Sequence, residues 1–356
     1  MTTDAVGGVW SYSLELADAL AAESFDVVLA VLGPSPSDAQ REELRASRVA
    51  QWFELDQPLE WMPDPWSGVD EAGSRLLELA RELAPDVVHL NGYAHAALPW
   101  PAPTVVVAHS DVLSWWRAVH GEAAPESWST YAARVTAGLR TASAVVAPSR
   151  AMLAALHHEY EFAGGTVIHN GRRTDWVRDA VAKEELVVGV GRMWDAAKNL
   201  EALAAAAAVV EWPVVLLGAG SEQHAASTPP PAYVGLGAVP FREVAEWLGR
   251  ATIFASPARY EPFGLAALEA ARSSCALVLG DLPTQRELWA DAAVYVDPAR
   301  PDDLGAMLRE LGRNPERCRA LGARARARAE RYAPAPMARA YAALYRSLPA
   351  PVGGRR

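Results

Sequence analysis

Short apolar runs rich in β-branched residues alternate along this chain with longer Ala- and Leu-rich stretches, and that alternation leaves few folds open. FDVVLAVLG (25–33), DVVHLN (86–91), TVVVAHS (104–110), SAVVAPS (143–149) and GTVIHNG (165–171) form a first series. ELVVGVG (185–191), PVVLLG (213–218), AYVGLG (232–237), ATIFASP (251–257), CALVLGD (275–281) and AAVYVDP (292–298) form a second. Unbroken apolar runs suit strands covered on both faces, as in a parallel sheet between helices. Segments such as VWSYSLELADALAA (9–22), NLEALAAAAAVV (199–210) and REVAEWLGR (242–250) carry the helical period. The pattern is βαβ throughout and predicts an α/β protein with doubly wound parallel sheets.

A chain of 356 residues exceeds one ordinary core, so two Rossmann-like domains are expected. The polar stretch RRTDWVRDAVAKEE (172–185) separates the two series and is read as the linker. The domains are placed at 1–173 and 184–335, with the last helix, in 336–356, packing back across the junction. Two such domains facing each other would leave a cleft where strand C-termini converge, the usual ligand position in open α/β sheets.

A net charge of −10 argues against general nucleic-acid binding, which needs a positive surface. Two cysteines, Cys275 and Cys318, are too few for a disulfide framework or a Cys-based zinc site, and they fit a reducing cytoplasm. No run reaches the roughly 18 apolar residues of a membrane span, and MTTDAVGGVW has no signal-peptide pattern, so a soluble cytoplasmic protein is expected. The Arg-rich GARARARAER (322–331) is read as a solvated helix surface with its charges spread around the helix, with peripheral contact to an anionic membrane as the alternative.

Two stretches carry chemistry. In YEPFGLAALEA (260–270) a Pro-Phe-Gly corner opens an apolar helix, with Glu261 ahead of it and Glu269 one turn in. The first N–H groups of that helix, at Phe263, Gly264 and Leu265, lack intrahelical partners and would bind an anion. Carboxylates repel phosphate, so the two acids read as hydroxyl acceptors. A diphosphate flanked by polyols, as in a sugar nucleotide, would use all these groups. In GVGRMWDAAKNLEAL (189–203) Arg192 and Lys198 follow a buried strand, with Asp195 as the expected helix N-cap. Two cations beside a helix N-terminus suit a diphosphate without metal. A nicotinamide-dinucleotide site fits poorly, because Trp194 stands at the third glycine and PVVLLG ends in Gly218 instead of an acid.

GRMWDAAKN and EPFGLAALE, with its E-x7-E spacing, together resemble the donor site of retaining GT-B glycosyltransferases of family 4. GGVWSYSLELADAL resembles that family's glycine loop and first helix, and VVVAHS, AVVAPSRAML and VIHNG match further landmarks in order, from about residue 3 to about 346. The resemblance implies that Arg192 and Lys198 hold the donor diphosphate and stabilise the leaving group. It implies that the backbone at Phe263, Gly264 and Leu265 binds the same phosphates, that Glu269 accepts from ribose hydroxyls, and that Glu261 accepts from the transferred sugar. Gly7 and Gly8 would bring the N-terminal loop to the phosphates, and His109 would line the reaction centre and hydrogen-bond the donor sugar. Gly218, Ala219 and Gly220, with the 235–239 turn, would flank the nucleobase. Trp10, Trp115 and Trp116 could stack on an acceptor or pack in the core. His157, His158 and Glu161 space faintly like metal ligands but read as a surface helix, and with no Asp-x-Asp pair no divalent metal is expected.

Three departures stand out. The chain starts at MTTD where the family has a full first strand, so apolar edges should be left exposed there. ARSSCALVLGD replaces a small-Gly-Pro segment, and VIHNGRRTD carries Arg172 and Arg173 in place of an acid, either meeting an anionic ligand or facing solvent. The implied activity is metal-independent retaining transfer of a hexosyl group, without cofactor, from a nucleotide sugar (UDP- or GDP-sugar) to a small-molecule, glycan or lipid-linked acceptor. Domain closure would assemble the site. The alternatives are a non-catalytic sugar-nucleotide-binding subunit and an epimerase or phosphorylase on the same scaffold.

Overall fold

A computed structural model of the chain describes residues 1–176, 182–218 and 233–350. It divides into two compact units. The first comprises Met1–Arg117, Gly121–Gly171 and Ala333–Arg356, and the second Ala118–His120 and Arg172–Tyr332. Residues 177–181 of the expected linker lie outside the described residues.

In the first unit β1 (Thr2–Asp4), β2 (Val28–Leu32) and β3 (Gln51–Glu54) make one parallel sheet, with β2 central. A second parallel sheet runs in order β4 (Val88–Leu90), β5 (Thr104–Val107), β6 (Ala144–Ala147) and β7 (Thr166–Val167). The edges of β1 and β4 meet through a side chain: Asn91 donates from its backbone N–H to Thr2 Oγ1 at 2.9 Å and from Nδ2 to Thr2 O at 2.7 Å. Beside this seam lies a cavity of about 330 Å³, lined by Leu20, Val28, Leu76, Leu79, Val87 and Tyr345 among others. The Met1 amino group, half-buried at its edge, donates to Val28 O at 2.7 Å. The first helix, Gly8–Ala21, packs on the last, Pro334–Ser347, and both join Leu29, Val105, Val107 and Val146 in one core.

The sequence reading had no run for β3. QWFE is an edge strand with exposed Gln51 and Glu54 and two half-buried aromatics, so it lacks the unbroken apolar signature. The GTVIHNG run shrinks to the two residues of β7 for the same reason, since it is the outer strand.

The second unit holds one six-stranded parallel sheet in order β10-β9-β8-β11-β12-β13. The strands are β8 (Glu184–Val190), β9 (Val214–Leu217), β10 (Tyr233–Gly235), β11 (Ala251–Ser256), β12 (Ala276–Gly280) and β13 (Ala293–Val296). Successive side chains enter opposite cores: Leu186 and Val188 pack with Phe254 and Leu277, while Val187 packs with Ile253 and Val278. That double burial is why these runs are apolar at every position. Strand order reverses between β8 and β11, which makes that pair the topological switch point of the sheet.

The Arg-rich segment is solvated in part. On the helix Pro315–Ala329, Leu321, Gly322, Ala325 and Ala329 are buried, and Arg328 donates to the backbone oxygens of Glu287 and Leu288. Arg324 and Arg326 on this helix and Arg331 just after it are exposed, whereas Arg328 is half-buried. No helix among the described residues is long and apolar enough to cross a membrane.

Candidate active site

Both motif clusters end at the switch point, entirely inside the second unit. After β8 the chain runs through Gly191 into the loop Arg192–Lys198. Asp195 was expected to cap the next helix. Instead Asn199 occupies the N-cap in the left-handed region (φ 53°), which Asn tolerates, and the helix starts at Leu200. Asn199 Nδ2 donates to Pro257 O at 2.9 Å and Pro298 O at 3.0 Å, tying the loop to the ends of β11 and β13. Asp195 organises the loop itself: its carboxylate accepts from Ala197 N–H at 3.0 Å and from an Arg192 terminal nitrogen at 2.8 Å.

This stitching sets Lys198 against the second cluster. Its Nζ lies 2.7 Å from Glu261 Oε2, and Arg259 N–H donates to Ala197 O at 2.8 Å. The Pro-Phe-Gly corner follows. Phe263 turns its ring into the core, edge-on to Tyr332 at 5.6 Å, which leaves its backbone on the outside of the turn. Gly264 sits at φ 91°, and a Cβ there would lie 3.3 Å from both Glu261 Cγ and Gln285 Nε2. The helix Leu265–Arg272 begins at once, so its first amides have no intrahelical acceptors. The structure therefore brings Lys198, Glu261, Gly264 and Gln285 together. Arg192 stays with Asp195, its guanidinium 5.0 Å from the centroid of the exposed Trp194 ring.

Glu269 is buried one turn into that helix, with Arg172 Nε donating to it at 2.8 Å. Arg172 had been read as meeting a ligand or facing solvent. It is buried, and its guanidinium lies 4.2 Å over the Phe241 ring. Removing one member of a buried pair costs about 3–5 kcal/mol. Arg172→Met is therefore expected to lower the melting temperature of the second unit clearly. A cycle with Glu269→Gln should show a coupling above about 1 kcal/mol, and additive effects would refute the pairing.

Gly218 follows β9 at φ 140°, and a Cβ there would come within 1.8 Å of Gly191 O. Its N–H donates to Gly237 O at 2.7 Å, which joins it to the 235–239 turn. Ala219 and Gly220 lie outside the described residues.

In the first unit Gly7 caps the helix Gly8–Ala21 and Gly8 is exposed. Trp10 is a correction: it is 4% exposed and donates from Nε1 to Glu43 at 2.7 Å, so it belongs to the core and offers no stacking face. Trp115 and Trp116 are half-buried neighbours on one helix, ring centroids 6.2 Å apart. His109 follows β5, half-buried, with its Nε2 2.9 Å from Asn91 Oδ1 and its ring edge-on to Tyr12 at 4.4 Å. Burial pushes its pKa down to about 3. His157 is tied to Gly164 O, and among the described residues no group of His, Cys, Asp and Glu could hold a metal. Asn91 and Gln285 escaped the sequence reading. Asn91 closes the DVVHLN run, which was the one available signal, while Gln285 lies in a segment without motif.

Solved structures share this fold over nearly its whole length. Sucrose-phosphate synthase (tll1590) from Thermosynechococcus elongatus superposes with a TM-score of 0.80 at 18% identity, covering 97% of this chain and 98% of that one. Anabaena Alr3699/HepE, solved in complex with UDP and glucose, gives 0.77 at 17% identity, with 98% and 99% covered. WaaG, a glycosyltransferase involved in lipopolysaccharide biosynthesis, gives 0.74 at 15% identity, with 99% and 98% covered. The family model for Glycosyltransferase Family 4 matches residues 6–176, and that for Glycosyl transferases group 1 matches residues 173–328. The chain is a GT-B glycosyltransferase. No curated protein sequence matches this transferase. The resemblance read from its motifs and the α/β fold read from its apolar runs both hold at that level.

Proposed function

We propose that this glycosyltransferase moves a hexosyl group from a UDP-sugar to an acceptor hydroxyl with retention of configuration and without a metal ion. The observation that carries the reading is the 2.7 Å contact of Lys198 with Glu261 at the switch point, which joins the cationic loop to the anion-binding corner. Lys198, Arg192 and the amides of Phe263, Gly264 and Leu265 bind the diphosphate and stabilise the charge that develops as it departs. These cations supply the positive charge that a metal supplies elsewhere. Glu261 accepts from hydroxyls of the transferred sugar, and Glu269, held by Arg172, accepts from the ribose. Gly218 and the 235–239 turn flank the base, and Gly7 and Gly8 serve the phosphates from the N-terminal loop. The acceptor, with Trp115 and Trp116 beside it, belongs to the first unit.

Retention follows a front-face course: the bond to the leaving phosphate breaks while the acceptor oxygen bonds on the same face, and the phosphate takes the acceptor proton. UDP is the favoured nucleotide because Alr3699/HepE was solved with UDP and glucose and with UDP-glucose. Two free, buried cysteines support a cytoplasmic location.

Thermal melting against UDP-, GDP- and ADP-sugars, with and without EDTA, tests the reading. A UDP-sugar at a hundred times its Kd stabilises by about 2.7 kcal/mol, and EDTA should leave that shift intact. The product's anomeric configuration, read by NMR, should match the donor's. Donor binding without transfer or slow donor hydrolysis would mark a non-catalytic subunit, and sugar conversion without acceptor an epimerase.

A further inference from the structure

We infer that Asn91 is a positioning residue that sets the tautomer of His109, making Nδ1 of that ring the hydrogen-bond acceptor for a hydroxyl of the reacting sugars. The inference rests on the placement of His109 at the reaction centre. Its geometric half stands without that placement.

The amide of Asn91 can point only one way. Its Nδ2 lies 2.7 Å from Thr2 O, and a carbonyl accepts but never donates, so the NH2 group faces Thr2. The same nitrogen reaches Ser13 Oγ at 3.2 Å. Oδ1 therefore faces the two imidazoles, 2.9 Å from His109 Nε2 and 3.1 Å from His89 Nε2. An amide oxygen cannot donate, so both rings must donate to it from Nε2. In a neutral ring so protonated, Nδ1 carries the lone pair. His89 uses its Nδ1 on the Tyr345 hydroxyl at 2.6 Å. His109 Nδ1 makes no hydrogen bond among the described residues.

The surroundings keep both rings neutral. The titratable groups facing them are each other, Tyr12 on the first helix, Tyr341 and Tyr345 on the last, and the Met1 amino group, which burial lowers to about 5; burial is the main cause that keeps the imidazoles neutral. No carboxylate hydrogen-bonds either ring among the described residues. A ring of such low basicity is a poor proton acceptor at neutral pH, so His109 orients a hydroxyl and leaves the proton to the departing phosphate. Tyr12, edge-on to the ring, and Asn91 together fix the direction in which Nδ1 points.

Protein labelled with ¹⁵N-histidine tests this directly. Long-range ¹H–¹⁵N spectra, with His109 assigned by its loss in His109→Gln, should show an Nε2–H ring unchanged between pH 8 and pH 5. An Nδ1–H ring, or titration near 6.5, overturns the inference. In Asn91→Asp the carboxylate favours imidazolium, so His109 should titrate at higher pH. Its kcat should fall roughly tenfold or more below that pKa and recover above it, with donor KM little changed. Should that variant fail to fold, Asn91→Ser removes the constraint and should give mixed tautomers with reduced kcat. Scrambled tautomers with normal kcat would overturn the role of Nδ1. Absence of donor binding in the wild-type protein would overturn the function proposed above, while the wild-type spectra would still decide the tautomer.

Discussion

Replacing Lys198 with Ala is expected to lower turnover roughly 10²–10³-fold, the loss seen when one preorganised group that stabilises developing negative charge is removed. The contact with Glu261 makes this site sensitive. Lys198 Nζ sits 2.7 Å from Glu261 Oε2 at the end of the loop that also carries Arg192. Without the ammonium, Glu261 stands as an unneutralised acid beside the amides meant for phosphate, so donor affinity should fall with kcat. Stability should change far less, since both side chains keep partial solvent exposure, 21% and 17%, and such pairs contribute about 1 kcal/mol or less. Lys198→Arg keeps the charge but exchanges a compact ammonium for a broad planar fork, and should recover part of the rate. Steady-state kinetics with the true donor and acceptor, with melting curves on the same samples, separate these effects. An alanine variant with normal kcat and KM would remove Lys198 from the mechanism.

What the sequence made legible follows burial. The strands at Val187–Val188, Val214–Leu217 and Leu277–Leu279 are covered on both faces, and unbroken apolar runs announced them. β3 is half exposed and β7 outermost, so neither leaves that signature in full. The Pro-Phe-Gly corner could be read because Gly264 needs a left-handed φ and the helix behind it is apolar. The meeting of Lys198 with Glu261, 63 residues apart, could be expected from resemblance, not from spacing. Asp195 illustrates a local rule overridden: Asn199 reaches two backbone oxygens just past the ends of β11 and β13, so the helix starts later than propensity suggests. Arg172 was read as meeting an anionic ligand or facing solvent because its partner, Glu269, is 97 residues away. Asn91 was invisible as a functional residue, because its meaning lies in the four groups that converge on its amide.

The same histidine network predicts acid lability in the first unit. Burial lowers His89 and His109 to about 3, against about 6.5 in the unfolded chain. Each depressed pKa means that the folded unit holds the ring neutral while the unfolded chain takes up a proton. The contribution to stability is complete above pH 6.5 and is lost progressively as pH falls from 6.5 toward 3. Well inside that window each ring removes about 1.4 kcal/mol per pH unit, so the pair removes nearly 3. Over the whole window the two rings remove about 9 kcal/mol at most, so a unit near the lower end of the usual range of about 5–15 kcal/mol should unfold within about two to three units of acidification. The second unit has no hydrogen-bonded histidine pair of this kind among its described residues and should outlast it. Amide exchange followed from pH 8 to pH 4.5 should show Val105–Val107 losing protection before Val187–Val188. His109→Gln should shallow the first unit's slope by about one proton. Equal acid sensitivity of both units, or an unchanged slope in the variant, would mean that these rings are not held neutral by the fold.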